Sequence, residues 1–293
     1  MIVLKFKRRN AMTIWIKFLT AIAMLLAFSA QAANSGKILV AVSSENKLAL
    51  KNGQFLDTGY YLNELGVPAK RLVDAGYTLV FANPKGNTPT MDKNSDSVDH
   101  FGGNQAKYAE IKAFHDNLAS LKQPQTLQAI IDGGLDQYAG LFVPGGHAPM
   151  IDLMQSQAFG QILKHFNAQA KPTALICHGP VALAAATQNP VAYKKALASG
   201  NVMAQKKAAK NWIYAGYNMT VFSTSEEKVA EKNIGNKLQF YPQDALSAAG
   251  GKVQVGNDWA PYVIQDRELI TGQNPASDEQ LAEAMIKALQ QKQ

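Results

Sequence analysis

The single cysteine of this chain, Cys177, occupies a position suited to a nucleophile. It directly follows the apolar run Thr173–Ile176 and precedes the sequence His-Gly-Pro. A tight turn between a buried strand and a helix holds a side chain out at the edge of a sheet. The free N–H groups and the dipole of the helix start are expected to lower the pKa of the thiol. The position predicts a nucleophilic cysteine, with a small buried core residue as the alternative.

A second turn that could take part in chemistry is Pro-Gly-Gly-His at residues 144–147, directly after the apolar run Tyr138–Val143. Adjacent glycines leave backbone N–H groups unobstructed, as an oxyanion-binding site requires. Because the carboxyl ends of parallel strands meet at one edge of a sheet, this turn and the cysteine turn would face one pocket. Gly145 and Gly146 are therefore predicted to bind an oxyanion, with an ordinary turn as the alternative. His147 either faces the pocket or ends the loop.

Both turns need a parallel sheet to position them, and the chain predicts one. Apolar runs at residues 37–43 and 78–82 flank a helical segment at 59–75, interrupted at 66–68. Strand, helix and buried strand form a βαβ unit, which implies parallel strands. Further strands are predicted at 138–143, 173–176, 219–222, 262–265 and 268–271, and helices at 111–121, 159–166, 179–186, 225–233 and 277–289, the last capped by Ser277.

These elements predict one three-layer α/β domain over residues 33–293, with a mostly parallel sheet. The polar, turn-rich start of residues 84–135 indicates an inserted segment or cap. No Pro/Gly/Ser-rich linker divides the chain. Of the 293 residues, 47% are apolar and 17% charged, which is typical of a globular protein large enough to bury a core without disulfides or metals.

The first 32 residues carry the pattern of a secretory signal peptide. Basic residues come first, the apolar run 18–30 follows, and Ala30-Gln31-Ala32 is a small-x-small cleavage site. The apolar run is shorter than the ~20 residues that span a bilayer as a helix. We therefore expect cleavage near Ala32, export to the periplasm or beyond, and no stable membrane insertion of the mature chain. A retained N-terminal anchor is the alternative.

Removing this leader changes the charge of the protein. The whole chain carries +7, but five of its 29 basic residues lie in the leader. The remaining 24 basic residues face 22 acidic ones, a net charge of +2. A nearly neutral chain lacks the electrostatic basis for nucleic-acid binding, so no nucleic-acid partner is expected.

The cysteine turn and several other segments together resemble the ThiJ/PfpI superfamily, whose fold is flavodoxin-like and related to class I glutamine amidotransferases. The match extends over most of the chain from Lys37 to Leu289 and is most similar to the branch of heat-shock chaperones and glutathione-independent glyoxalase III proteins. The segments that carry it are Thr58-Gly59 with Glu64, residues 74–85, Pro89 with Asp92 and Ser95, residues 177–180, residues 222–227 and residues 269–277.

The resemblance assigns a role to each candidate site residue. Cys177 would be the nucleophile, His178 its partner, and Glu227, or less securely Glu226, the acid of a Cys-His-acid set. Glu64 would be the carboxylic acid that contacts the thiol. The oxyanion and substrate-binding residues would be Gly145, Gly146, His147, Gly179 and the backbone at His178.

Several of these residues also have simpler interpretations. A lone helix glutamate such as Glu64 is commonly a solvated surface acid. Glu226 and Glu227 could be a carboxylate pair favoured by a helix N-terminus. The aromatic residues of the segment 206–217 either line the pocket or belong to the core.

The resemblance implies an enzyme that converts methylglyoxal to lactate through a Cys177 hemithioacetal, with Glu64 as general acid and base. It implies no metal and no organic cofactor. The alternatives are a periplasmic holding chaperone or deglycase-like protein acting on unfolded or glycated proteins and, third, a PfpI-type cysteine peptidase or amidase. A glutaminase is disfavoured because no histidine follows His178. The resemblance also implies a homodimer.

Overall fold

The computed structural model describes residues 36–292, so the predicted leader at residues 1–32 lies outside the described residues. The strands are β1 Lys37–Ala41, β2 Lys47–Ala49, β3 Phe55–Asp57, β4 Thr78–Asn83, β5 Gln125–Thr126, β6 Tyr138–Val143, β7 Thr173–Ile176, β8 Asn218–Met219, β9 Lys252–Val253, β10 Val263–Asp266 and β11 Leu269–Gly272. The α-helices are α1 Leu62–Asp74, α2 Gln105–Asp116, α3 Ala119–Lys122, α4 Leu127–Asp132, α5 Gln157–Ala168, α6 Pro190–Ala198, α7 Val202–Ala208, α8 Thr224–Ile234, α9 Pro242–Ala249 and α10 Asp278–Gln290. Across residues 36–292, no helix is both long and apolar enough to cross a membrane.

Seven strands form the central sheet in the order β10-β11-β7-β6-β1-β4-β5. All neighbours pair in parallel except β10 and β11, which form the predicted antiparallel hairpin. The central strands β1, β6 and β7 are apolar runs, as expected where both faces of a parallel sheet are covered. Val143 of β6 pairs with Leu175 of β7, so the two turns predicted to carry chemistry leave the sheet side by side.

Strand β1 shows how the layers are built, because its side chains alternate between two cores. Leu39 packs in the core that contains Phe159 of α5. Ile38 and Val40 pack in the other core, with Leu65 of α1. Successive strand residues point to opposite faces, so helices cover both sides of the sheet. The predicted α/β class, with a mostly parallel sheet between helical layers, is confirmed.

Two local predictions are wrong because tertiary contacts outweigh the local pattern. Helix α1 runs through Pro68 without the predicted interruption, since most of its residues are buried and packing stabilises it. Of the predicted strand at 219–222, only Met219 lies in a strand, β8. The amides beyond it are used elsewhere: Thr220 donates to the Thr271 hydroxyl (2.8 Å) and Phe222 to the Cys177 carbonyl (2.9 Å).

Two helix starts also differ from the prediction. Ser277 precedes α10, but its side chain does not cap the helix, because its hydroxyl bonds with Asn274 and Tyr262. The carboxylate of Asp278 accepts the Glu279 amide instead (2.7 Å). The helix after the cysteine turn, Gly179–Ala186, is a 3-10 helix.

The segment predicted as an insertion, residues 84–135, both extends the sheet and covers it. Its strand β5 pairs with β4 at the sheet edge, with Ala82 opposite Gln125. Its helix α2 packs on α1. The contact between these helices is so close that residue 66 has no room for a side chain. A Cβ on Gly66 would lie 2.4 Å from the Cγ2 methyl of Ile111.

This contact predicts a double-mutant result. Gly66→Ala should lower the free energy of unfolding by about 1–3 kcal/mol through overpacking. In an Ile111→Ala background, the same change should be neutral or stabilising by up to about 1 kcal/mol, because alanine favours a helix over glycine. Urea unfolding of the wild type, both single variants and the double variant measures these values. Equal costs of Gly66→Ala in both backgrounds would contradict the close contact.

Candidate active site

Cys177 sits on a strained turn between β7 and the 3-10 helix. Its φ is +59°, in the left-handed region that a residue with a side chain rarely adopts. Two hydrogen bonds hold it there: its amide donates to the Gly272 carbonyl (2.8 Å), and its carbonyl accepts from the Phe222 amide (2.9 Å). Only 3% of the residue is exposed. Strain of this kind persists where the surrounding structure enforces it, as at active sites.

The thiol begins a chain of three groups. Cys177 Sγ lies 3.2 Å from His178 Nδ1, and His178 Nε2 lies 2.6 Å from Glu227 Oε2. Burial alone would raise the pKa of Glu227, but the neighbouring imidazoles hold that pKa well below its ordinary value. Ionised Glu227 can only accept, so His178 Nε2 donates to it and Nδ1 is left to accept a proton from the thiol.

A second imidazole, His147, binds the other oxygen of the same carboxylate. His147 Nε2 lies 3.0 Å from Glu227 Oε1, and the rings of His147 and His178 lie 4.0 Å apart. Burial lowers the pKa of His147, but the charge of Glu227 outweighs it and the net direction is upward. Burial and the neighbouring His147 lower the pKa of His178 despite Glu227. This arrangement therefore favours the protonated form at His147 and the neutral form, which can accept a proton, at His178.

Glu226, the less secure candidate for the acid, bonds to a helix start and to neighbouring loops, and not to His178. It forms a capping box with Ser223 at the start of α8. Its oxygens also accept from the Trp259 amide (2.7 Å) and from the side-chain amides of Gln273 (3.0 Å) and Asn274 (2.8 Å). The structure thus places Glu227 beside His178 and uses Glu226 to hold the surrounding loops.

Glu64 lies on α1, fully buried against the cysteine turn, and is not a solvated surface acid. Gly145 makes this approach possible, because a Cβ there would lie 2.3 Å from Glu64 Oε2 and 2.6 Å from Cys177 Cβ. Burial raises the pKa of Glu64 to about 8, although the thiol and the amides of Gly145 and Gly146 oppose the rise. Among residues 36–292, neither carboxyl oxygen of Glu64 has a hydrogen bond of normal geometry.

The thiol is less acidic than the sequence predicted. Burial raises the pKa of Cys177, Glu64 raises it further, and the amide of Gly146 opposes the rise only in part. The prediction that the helix start lowers this pKa is wrong, because dehydration and a neighbouring carboxyl outweigh the dipole of a 3-10 turn. Attack by the sulfur therefore requires a base, and neutral His178 is in place to serve as one.

The predicted oxyanion residues take different positions. Gly146 and His147 line the cavity beside Cys177. Gly145 lies between Glu64 and Cys177. Gly179 packs behind the site, where a Cβ would lie 2.8 Å from the carbonyl oxygen at the end of β6.

The cavity beside Cys177 has a volume of about 510 Å³. Polar lining comes from Tyr61, Asp92, Asn94, His100, His147, His178 and Asn233, and apolar lining from Leu56, Phe222, Val229, Ile234 and Trp259. Three of the polar residues belong to the segment 84–135, so this segment contributes to the site. The aromatic residues of 206–217 lie in the core instead: Tyr214 is fully buried, and Trp212 Nε1 donates to the Leu183 carbonyl (2.8 Å).

His147, His178 and Glu227 are also close enough to hold a metal ion, with one ligand atom of each within 4.8 Å of the others. In the structure both Nε2 atoms bond to the Glu227 carboxylate, so a metal would have to replace these hydrogen bonds. That no metal or organic cofactor is needed stays a prediction.

Residues 55–231 match a family model described as ThiJ/PfpI family-like. The chain belongs to this family. It is similar to the Protein/nucleic acid deglycase HchA of Staphylococcus aureus (strain MSSA476), with 27% identity over 274 residues that cover 87% of this chain and 82% of the relative.

Two solved structures share the fold of this ThiJ/PfpI protein. Glyoxalase III from Candida albicans matches with a TM-score of 0.65 and 20% identity over 87% of this chain and 98% of that one. The Rapid Encystment Protein 24 KDa of Francisella tularensis matches with a TM-score of 0.63 and 23% identity over 87% and 99%. The superfamily inferred from the sequence is confirmed.

The raised pKa of Glu64 predicts a pH-dependent stability. Between the ordinary glutamate pKa of 4.5 and about 8, the folded state keeps the Glu64 proton and the unfolded state has lost it. Over this window Glu64 should lower the free energy of unfolding by about 1.4 kcal/mol for each unit of rising pH. Glu64→Gln, which cannot ionise, should lack this component.

Urea unfolding at several pH values between 4.5 and 8 measures the difference between the two proteins. Glu283→Gln serves as the control, because Glu283 lies on the exposed side of α10 with 64% of its side chain accessible. Parallel profiles for the wild type and Glu64→Gln would show that Glu64 ionises normally in the folded protein.

Proposed function

We propose that this protein is a cysteine-dependent enzyme that converts 2-oxoaldehydes such as methylglyoxal into 2-hydroxy acids, without glutathione. The observation that carries the proposal is the buried Glu64 carboxyl against Cys177, beside a base and facing a cavity. A cysteine with only a neighbouring histidine could serve many acyl-transfer reactions. A proton-holding carboxyl at the same thiol adds what an aldehyde isomerisation needs, a group that moves a proton between two carbons.

The names of the relatives support an enzyme of this kind. The Staphylococcus aureus proteins are named protein/nucleic acid deglycases, and a structural neighbour is named glyoxalase III. The identities of 27% and 20% leave the substrate of this chain to be measured.

The first step forms a bond between Cys177 Sγ and the aldehyde carbon. His178 Nδ1, 3.2 Å from the sulfur, takes the thiol proton. The imidazolium that results is stabilised by ionised Glu227. Glu64, with a pKa of about 8, is mainly protonated at neutral pH and can donate its proton to the aldehyde oxygen as that oxygen gains charge. The product is a hemithioacetal.

The second step transfers a proton between carbons. Glu64, now a carboxylate, removes the proton from the former aldehyde carbon, and the His178 imidazolium gives its proton to the ketone oxygen, so that an enediol forms. Glu64 then returns its proton to the neighbouring carbon, while the hydroxyl on the sulfur-bearing carbon gives its proton back to His178, and the product is a thioester of the 2-hydroxy acid. Water then hydrolyses the thioester and the thiol regains its proton. The sum is R-CO-CHO plus water to R-CH(OH)-COOH, in which one carbon is oxidised and its neighbour reduced, so no external oxidant is needed.

Methylglyoxal conversion to lactate by the purified protein tests this proposal. Cys177→Ser and Glu64→Gln should each lower kcat/KM at least about 100-fold, because each removes a group that reacts directly. Glu283→Gln should retain wild-type activity. Lactate is measured after removal of glutathione and with Cys177 shown to be reduced.

Absence of turnover by the wild type would contradict the proposed reaction. A holding chaperone, or an enzyme for another carbonyl or amide substrate, would then be the leading candidate. Turnover that survives Glu64→Gln but not Cys177→Ser would favour an acyl-transfer reaction over an isomerisation.

We also propose, from the pattern of residues 1–32, that the protein is exported. The N-terminal sequence of the protein recovered from the periplasm or medium should begin near Ala33, after the small-x-small site. Recovery only from the cytoplasm, with the leader intact, would overturn this proposal.

A further inference from the structure

Trp259 has an unusual backbone conformation for a large residue. Its φ is +63°, in the left-handed region, where a bulky side chain is an outlier. Nearly half of the residue is exposed, at 48%, so burial of the indole does not account for the strain. An outlier of this kind, kept by the surrounding structure, is grounds for a functional hypothesis.

The loop that carries Trp259 is fixed by hydrogen bonds on both sides of the outlier. Ser225 donates to the Asp258 carboxylate (2.6 Å), and the Asn274 side-chain amide donates to the Ala260 carbonyl (2.8 Å). The Trp259 amide itself donates to Glu226 (2.7 Å). Glu226 is fully buried, so a dehydrated carboxylate is used to hold this backbone in place.

The side chain so held faces the cavity beside Cys177. The indole meets the ring of Phe222 edge to face, with centroids 5.7 Å apart, and Phe222 stacks on His178 at 4.6 Å. The rings of His178, Phe222 and Trp259 thus form a continuous row from the imidazole beside Cys177 to the wall of the cavity. The apolar lining continues with Val229 and Ile234 of α8.

This cavity is much larger than a three-carbon oxoaldehyde requires. A volume of about 510 Å³ lies in the range of sites that enclose ligands of drug size. The reacting carbonyls have to lie at Cys177 and Glu64. The wall formed by Phe222 and Trp259 then offers an apolar surface for the substituent of the substrate.

We propose that Trp259 forms an aromatic subsite that selects 2-oxoaldehydes with a planar aromatic substituent. The inference rests on the proposed function. An aryl ring there would pack on the indole and on the edge of Phe222, in the geometries that aromatic pairs prefer. The reaction is the one balanced above: an aryl glyoxal and water give an aryl 2-hydroxy acid, so phenylglyoxal gives mandelate.

Initial rates with phenylglyoxal and methylglyoxal test the subsite. The two aldehydes differ in intrinsic reactivity, so the measured quantity is the ratio of their kcat/KM values in each variant. Trp259→Ala should lower this ratio at least about tenfold, mainly through phenylglyoxal. Methylglyoxal, too short to reach the wall, should change less than about twofold.

Three further variants separate aromatic recognition from other effects. Trp259→Phe should retain most of the preference, and Trp259→Leu, which is apolar but not aromatic, should lose it. Val191→Ala removes an exposed aliphatic side chain of α6, outside the cavity, and should leave the ratio nearly unchanged. A ratio kept by Trp259→Leu, or equal losses with both substrates in Trp259→Ala, would overturn the proposal.

A binding experiment keeps the subsite testable if neither aldehyde is turned over. In the Cys177→Ser protein, mandelate should bind at least about tenfold more tightly than lactate by calorimetry, and Trp259→Ala should remove the difference. Tighter binding of mandelate that depends on Trp259, together with no turnover of either aldehyde, would contradict the proposed reaction and support the aromatic subsite. Equal affinities for the two acids would overturn the subsite.

Discussion

Close packing at the carboxyl end of the parallel sheet is the constraint on which the site depends. The turns after β6 and β7 approach so nearly that residue 145 has no room for a Cβ. Because Gly145 has no side chain, Glu64 of α1 can approach Cys177. The same packing keeps water away from the carboxyl and the thiol, which is why both hold their protons tightly. The chemistry follows from the geometry of the sheet edge.

Two carboxyl groups near one thiol are given opposite properties by their partners. Glu227 has two imidazoles and stays ionised in spite of its burial. No cation among residues 36–292 offsets the burial of Glu64, and burial raises its pKa to about 8. Surroundings that move the pKa values of two carboxyl groups in opposite directions are typical of a site that uses one group as an acid and the other as a fixed charge. His147 completes the arrangement, since the charge of Glu227 raises the pKa of His147 while the pKa of His178 is lowered, so the neutral form is favoured at His178.

Much of the fold could be predicted from local pattern, and part of the site could not. The runs 138–143 and 173–176 form strands at the predicted bounds, because buried parallel strands are continuous apolar runs. The cysteine turn was recognisable from its place between such a strand and Gly-Pro. The contact of His147 with Glu227 joins residues 80 positions apart, and no spacing rule predicts it. The direction of the pKa shift of Cys177 depends on its burial by several elements. An argument from the helix start alone therefore predicts a lowered pKa where the pKa is raised.

Two adjacent glutamates at the start of α8 connect the His178 imidazole with the loop that carries Trp259. Glu227 fixes the imidazole of His178, and Glu226, one residue earlier, fixes the backbone of Trp259. Consecutive residues in a helical turn cannot shift separately. The same turn therefore fixes the position of the His178 imidazole and of the cavity wall at Trp259. A substitution that displaces this turn would therefore disturb both the imidazole of His178 and the backbone of residue 259. A change of the indole side chain alone leaves the contact with Glu226 intact, because that contact is made by the backbone amide of residue 259.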